Sequence, residues 1–114
     1  MIDLTELNKL EQMLIDEGIP YKRIDKMENC ADKFPDLSAY EFHQLHSIEE
    51  HNGTYLWDVI CNTGSYGSDV GALELWGLTM REPEGWLSAE NCIEKIRGTI
   101  FWGSIYLYEQ TSKK

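Results

Sequence analysis

Leu7, Leu10, Met13 and Leu14 recur at spacings of three and four with polar residues between them, which predicts an amphipathic helix at the head of the chain. Thr5 reads as its cap, Asp3 and Glu6 favour its positive end, and Gly18 with Pro20 stops it. Ile19, Tyr21 and Ile24 then predict a strand over 19–26, and the polar stretch 28–38, which holds Pro35, predicts a loop. Segments 41–48 and 54–62 flank Glu49-Glu50-His51-Asn52-Gly53, and Asn-Gly between two apolar runs predicts a hairpin. In the second arm Tyr55, Trp57, Val59 and Cys61 alternate with Leu56, Asp58 and Ile60, which predicts a central strand covered on both faces.

The remaining pattern is shorter-ranged. Ala72 to Leu78 reads as a strand or a helical turn, and Arg81 to Gly85 as a turn around Pro83. Ser88 caps a helix through about Arg97 that turns Cys92, Ile93 and Ile96 inward. Thr99 to Tyr108, rich in β-branched and aromatic residues, predicts a final strand; the alternative is a longer helix, since Ile93, Ile96 and Ile100 keep helical spacing. The sum is an α+β fold: one domain over 1–114, with an antiparallel sheet and two or more helices on one face.

Composition narrows the function classes. The chain has 114 residues, 42% of them hydrophobic, enough for one core and too few for a comfortable second. Twenty acidic against ten basic side chains give a net charge of -10. That argues against direct binding to nucleic-acid phosphates or to anionic membranes, both of which need a basic surface. Met1 to Glu6 carries acids where a signal peptide needs bases, and no run approaches the roughly 20 apolar residues of a membrane span, so a soluble cytoplasmic protein is expected.

Cys30, Cys61 and Cys92 are odd in number and form no C-x-x-C pair, which favours buried reduced thiols. His43 and His46 are the nearest approach to a metal motif, but on a strand their odd spacing puts them on opposite faces. No metal, no cofactor and no catalytic residue is expected, since nothing sits at mechanistic spacing.

Charge is unevenly placed. Between Phe34 and Met80 there is no Lys or Arg, while Asp36, Glu41, Glu49, Glu50, Asp58, Asp69 and Glu74 supply seven acids. Such a stretch is either a solvated sheet face or a surface for a basic partner. Within it, Gly64-Ser65-Tyr66-Gly67 with Asp69 and Gly71 forms a glycine loop that fits neither the Walker nor the dinucleotide pattern. It is either a tight connection or a contacting loop. Trp57, Trp76, Trp86 and Trp102 suit both a core and an interface.

Gly18-Ile19-Pro20-Tyr21, the stretch from Gly64 to Leu78, and Gly85-Trp86-Leu87-Ser88-Ala89-Glu90 occur in that order. In this the chain resembles small uncharacterised proteins of phages and prophages of Gram-positive bacteria. These share a "GIPY" helix end, a G-S-Y-G-x-x-x-G-L-L-E core and a G-W/Y-L-T/S-A-E helix start. Ala72 stands where that core has Leu, and the segment after Gly98 has no counterpart. The resemblance implies a mobile-element accessory role in a host cytoplasm and carries over no activity.

Two functions are expected from different classes. One is non-catalytic inhibition of a host-defence protein, with Glu41, Glu49, Glu50, Asp58, Tyr66 and Asp69 against a basic, nucleic-acid-binding partner. The other is binding of a nucleotide signal by Gly64, Ser65, Tyr66, Gly67, Trp76 and Arg81. A homodimer is compatible with both.

Overall fold

Leu7, Leu10 and Leu14 are fully buried and form the inner stripe of helix α1 (Thr5–Asp16). The structure, a computed structural model, describes residues 2–28 and 40–112, with side chains through 101. The predicted loop over 28–38 and Cys30 fall largely outside the described residues. Thr5 is the first helical residue rather than the cap: Asp3 Oδ1 accepts its N–H at 2.9 Å and its hydroxyl at 2.6 Å. At the other end Gly18 takes φ +67, and the Gly18 and Ile19 N–H groups reach back to the Ile15 and Leu14 carbonyls. That closing turn uses up Ile19, and Pro20 lacks an N–H. The first strand, β1 (Lys22–Glu28), therefore starts three residues later than the apolar pattern suggests.

The chain continues through β2 (Tyr40–His46), β3 (Glu50–His51), β4 (Thr54–Tyr55), β5 (Trp57–Ile60), β6 (Leu73–Gly77), β7 (Glu84–Leu87) and α2 (Ala89–Ser112). Five strands form one antiparallel sheet in the order β1-β2-β5-β6-β7. β3 and β4 make a two-stranded tip around Asn52-Gly53, where both residues have positive φ. The hairpin is therefore real, but its tip runs one residue out of step with its base: His46 pairs with Asp58, while Glu50 pairs with Tyr55. The slip lets consecutive residues Leu56 and Trp57 both be buried on the helix side, which strict alternation forbids.

Both helices lie on one face. Their buried residues, with Ala89, Cys92, Ile93 and Ile96 from α2, pack on Leu45, Val59, Cys61, Leu73, Leu75 and Leu87. β5 is thus central: the helices cover one side, and on the other Gln44 and His46 are buried beside it, with Tyr55 of the hairpin tip stacked on His46. The N–H of Ala89, at the start of α2, donates to Glu6 Oε1 of α1, and Arg97 grips Glu17 with two 2.7 Å bonds.

Two further expectations change. The segment after Thr99 is helix, not strand: the stripe of Ile93 and Ile96 continues to Ile100, packed against the core, and the helical spacing overrides β propensity there. Thr99 fits the helix by donating its hydroxyl to the Lys95 carbonyl. Residues 84–87, read as the end of a turn and the approach to a helix, form edge strand β7; the open choice over 72–78 resolves as strand. Both sheet edges are guarded: five of the seven residues of β1 are charged, and β7 is short and bulged where it pairs with Leu73 and Leu75.

Candidate functional site: the sheet face away from the helices and its glycine loop

Strand registers align Ile24, Gln44, Ile60 and Glu74 in one row across the sheet, and Lys22, His46, Asp58 and Trp76 in the next. These positions face away from the core that the helices cover. Gln44 Nε2 donates to Asp58 Oδ2 at 2.9 Å, His46 stacks on Tyr55 with ring centroids 4.0 Å apart, and the Trp76 indole N–H donates to the Met80 carbonyl. Among the described residues of these two rows the one lysine or arginine is Lys22, at the β1 margin. Toward β5 and β6 the face carries Asp58 and Glu74, and no ion pair reaches either among the described residues.

The glycine loop rims this face. Asn62 and Ser65 lock its entry: Ser65 Oγ accepts the Asn62 N–H and donates to the Asn62 carbonyl, both at 2.9 Å. A short 3-10 turn, Ser68–Val70, closes it. Gly67 is demanded twice over, by φ +90 and by crowding, since a Cβ there would lie 2.8 Å from Ala72 Cβ and 3.2 Å from Trp86 Cα. Between loop and sheet runs an open groove of about 360 Å³, lined by Tyr40, Ile60, Glu74 and residues 62–66. Among the described residues Glu74 is its one charged lining residue, and its carboxylate accepts the Tyr66 N–H at a long 3.4 Å.

Trp86 stands beside the loop in an unusual way. It sits in the β7 bulge with φ +61, although a bulky aromatic residue is strained in that region, and 63% of its area is exposed. Its N–H points to the Tyr66 carbonyl, and a Cβ on the preceding Gly85 would collide with Tyr66. Tyr66, itself 65% exposed, therefore presents next to Trp86, with half-open Trp76 nearby on the face. Bulges commonly serve to re-aim one side chain. Here the bulge turns an indole into solvent.

Asp58 adds an electrostatic signature. Burial pushes its carboxyl above the ordinary value, and the neighbouring Glu74 charge adds to this, while Gln44 and His46 oppose it. The folded state thus holds this proton more tightly than the unfolded chain, so the site favours folding below the ordinary carboxylate range and loses that advantage as pH rises through the raised value. Asp58→Asn, which keeps an oxygen for Gln44, should raise the melting temperature at pH 7, and the gain should vanish toward about pH 4. Melting curves followed by circular dichroism across that range check it. A constant gain at all pH values would mean that the charge of Asp58 is not the cause.

The other sequence-derived residues are dispersed. Glu41 is turned inward to the helix side, where its carboxylate accepts the Ile2 N–H at 2.8 Å and sits 3.4 Å from His43 Nε2. Burial pushes Glu41 up, but the Ile2 and His43 contacts outweigh it and hold the carboxyl below its usual value. Glu49 and Glu50 are exposed at the hairpin tip, and Asp69 is exposed in the 3-10 turn. Arg81 and Trp76 lie outside the groove that Gly64, Ser65 and Tyr66 line, and a phosphate there would face Glu74.

His43 and His46 do lie on opposite faces. The Nδ1 of His43 is 2.7 Å from Asp25 Oδ1, in a chain that runs on through Arg23 to Asn8 and Glu11. Spacing along the chain shows no orienting partner for His43; Asp25 comes from the paired strand, opposite it in register. Cys61 and Cys92 are buried, and burial pushes their thiols up to about 11 and about 12, too high for a nucleophile at neutral pH. Among the described residues no three His, Cys, Asp or Glu side chains group as metal ligands, and no helix is long and apolar enough to cross a membrane. Sequence reasoning missed Trp86 as a site residue, Glu74 as the groove's charge, and Gln44 as the partner of Asp58. Only Gly85 before Trp86 signalled a bulge.

No family model, curated protein or solved structure matches this chain.

Proposed function

We propose that this protein works by non-catalytic binding, receiving a basic protein on the sheet face away from the helices and the glycine loop beside it. One observation carries the reading: Asp58 and Glu74 stand without an ion pair among the described residues, on a face rich in aromatic groups that neither helix covers. Keeping Asp58 ionised there costs stability, and groups retained at such a cost concentrate at binding sites. Exposed Tyr66 and Trp86 supply the large rigid contacts on which binding energy concentrates. The charged β1 and bulged β7 favour a partner that meets the face over one that adds a strand. The resemblance to phage-encoded proteins suggests the setting: an inhibitor occupying the nucleic-acid-binding surface of a host-defence protein in the cytoplasm.

The test is affinity capture from host extract, with the wild-type chain and the double variant Asp58→Asn/Glu74→Gln as bait. One stoichiometric basic protein should be held at low salt, lose about tenfold of its retention when salt is raised severalfold, and be lost with the double variant. Glu49→Gln/Glu50→Gln at the tip should retain it. Capture that resists salt, or that the double variant keeps in full, would overturn the reading.

A further inference from the structure

We infer that the groove between the glycine loop and the sheet is a receptor for a single arginine side chain of the partner. The inference rests on the proposed binding of a basic protein and names the group that is read. Three chemistries converge in the groove. Glu74 places one carboxylate where no other charged residue among those described lines the walls. Its present partner, the Tyr66 N–H at 3.4 Å, leaves it most of its accepting capacity. Tyr40 and Tyr66 are two aromatic residues of the same lining, and Ile60 is an apolar one.

A guanidinium fits this combination better than other ligands. Its planar fork bonds a carboxylate in two places, its weakly hydrated faces stack on tyrosine rings, and its methylene stem can lie on Ile60. An ammonium would meet the charge but gain less from the rings, and it is more strongly hydrated. An anion would face Glu74. Lys26 lines an adjoining hollow, with Glu28, Phe42 and the shared Tyr40, and among the described residues the groove's own lining holds no cation. Gly64 at φ +86 makes the rim at a point where an added Cβ would meet nothing, which leaves the mouth open to a long side chain.

The test uses capped tripeptides, Ac-Gly-Arg-Gly-NH2, its lysine analogue and its neutral citrulline analogue, titrated into the ¹⁵N-labelled chain and followed by NMR. The arginine peptide should shift the amides of Gly64, Ser65, Tyr66 and Glu74, with weak saturable affinity. Lysine should bind several-fold less well, and citrulline at least about tenfold less. Glu74→Gln should lower arginine affinity about tenfold, and Tyr66→Leu, which keeps bulk without the ring, should lower it several-fold. Equal shifts from citrulline, or shifts spread evenly over Glu49, Glu50 and Asp69, would overturn the arginine receptor. The two proposals fail separately. Salt-sensitive capture that Glu74→Gln alone leaves intact removes the receptor and keeps the basic partner. Arginine-peptide binding without any basic protein captured does the reverse.

Discussion

Glycine in place of Trp86 should leave the protein more stable than alanine does at the same position, by about 1 kcal/mol or roughly 4 °C in melting temperature. In an ordinary strand the order is opposite, because glycine loses more backbone freedom on folding, about 0.5–1 kcal/mol relative to alanine. The inversion follows from φ +61 at Trp86, a left-handed backbone that any Cβ strains and glycine does not. Both variants lose the part of the indole that rests over Gly67, so that loss cancels in the comparison. Partner binding should fall with both by about thirtyfold, the effect of truncating a central aromatic anchor. Thermal melts of the two variants and the capture assay check the two halves. Alanine more stable than glycine would show that the bulge relaxes without strain. Undiminished capture would remove Trp86 from the interface.

A larger loss of stability is expected from Gly77→Ala. Gly77 is not at positive φ, so its freedom is not the point; space is. A Cβ there would lie 2.5 Å from the Leu56 carbonyl oxygen and 3.2 Å from Trp57 Cα, both backbone atoms that cannot swing aside. This is where the hairpin slips by one residue, and the Leu56 carbonyl also accepts the Leu78 N–H at 3.1 Å. Alanine must therefore part β5 from β6 in the middle of the sheet. About 3 kcal/mol should be lost, lowering the melting temperature by roughly 10 °C or more. Gly98→Ala is the counter-case: it lies in α2, its Cβ would meet nothing, and the change should stabilise by about 0.5–1 kcal/mol. If Gly77→Ala melted like wild type, the packing of Leu56 against β6 would be looser than described.

How much of the fold was legible in the sequence depends on how local each cause is. The leucine stripe of α1, its Gly18 stop, the Ser88 cap and the Asn52-Gly53 turn depend on neighbours within a few residues, and each appears where the pattern puts it; Ser88 Oγ accepts the Asn91 N–H at 3.1 Å. The later part of α2 defeats a reading by residue type because β-branched and aromatic residues suit both states, and the packing of Ile96 and Ile100 on the core is set by residues distant in sequence. The same holds at the site. Asp58 and Tyr66 were legible as an acid and an aromatic in a stretch without bases, yet only strand registry sets Glu74 beside Ile60, and turns Glu41 inward. Trp86 was invisible as a site residue because its role depends on a backbone angle, and residue type alone predicts the opposite.

The guarded edges of the sheet bear on stoichiometry. A β1 crowded with lysine, arginine, aspartate and glutamate, and a β7 cut short by its bulge, give a second molecule no ladder to continue. Growth of the five-stranded sheet by added strands, which leads to open-ended filaments, is disfavoured at both of its edges. On the reading proposed above, a partner that meets the face does so without extending the sheet, and a complex of small, fixed number is the expected outcome. Light scattering should show a mass that stays level as concentration rises.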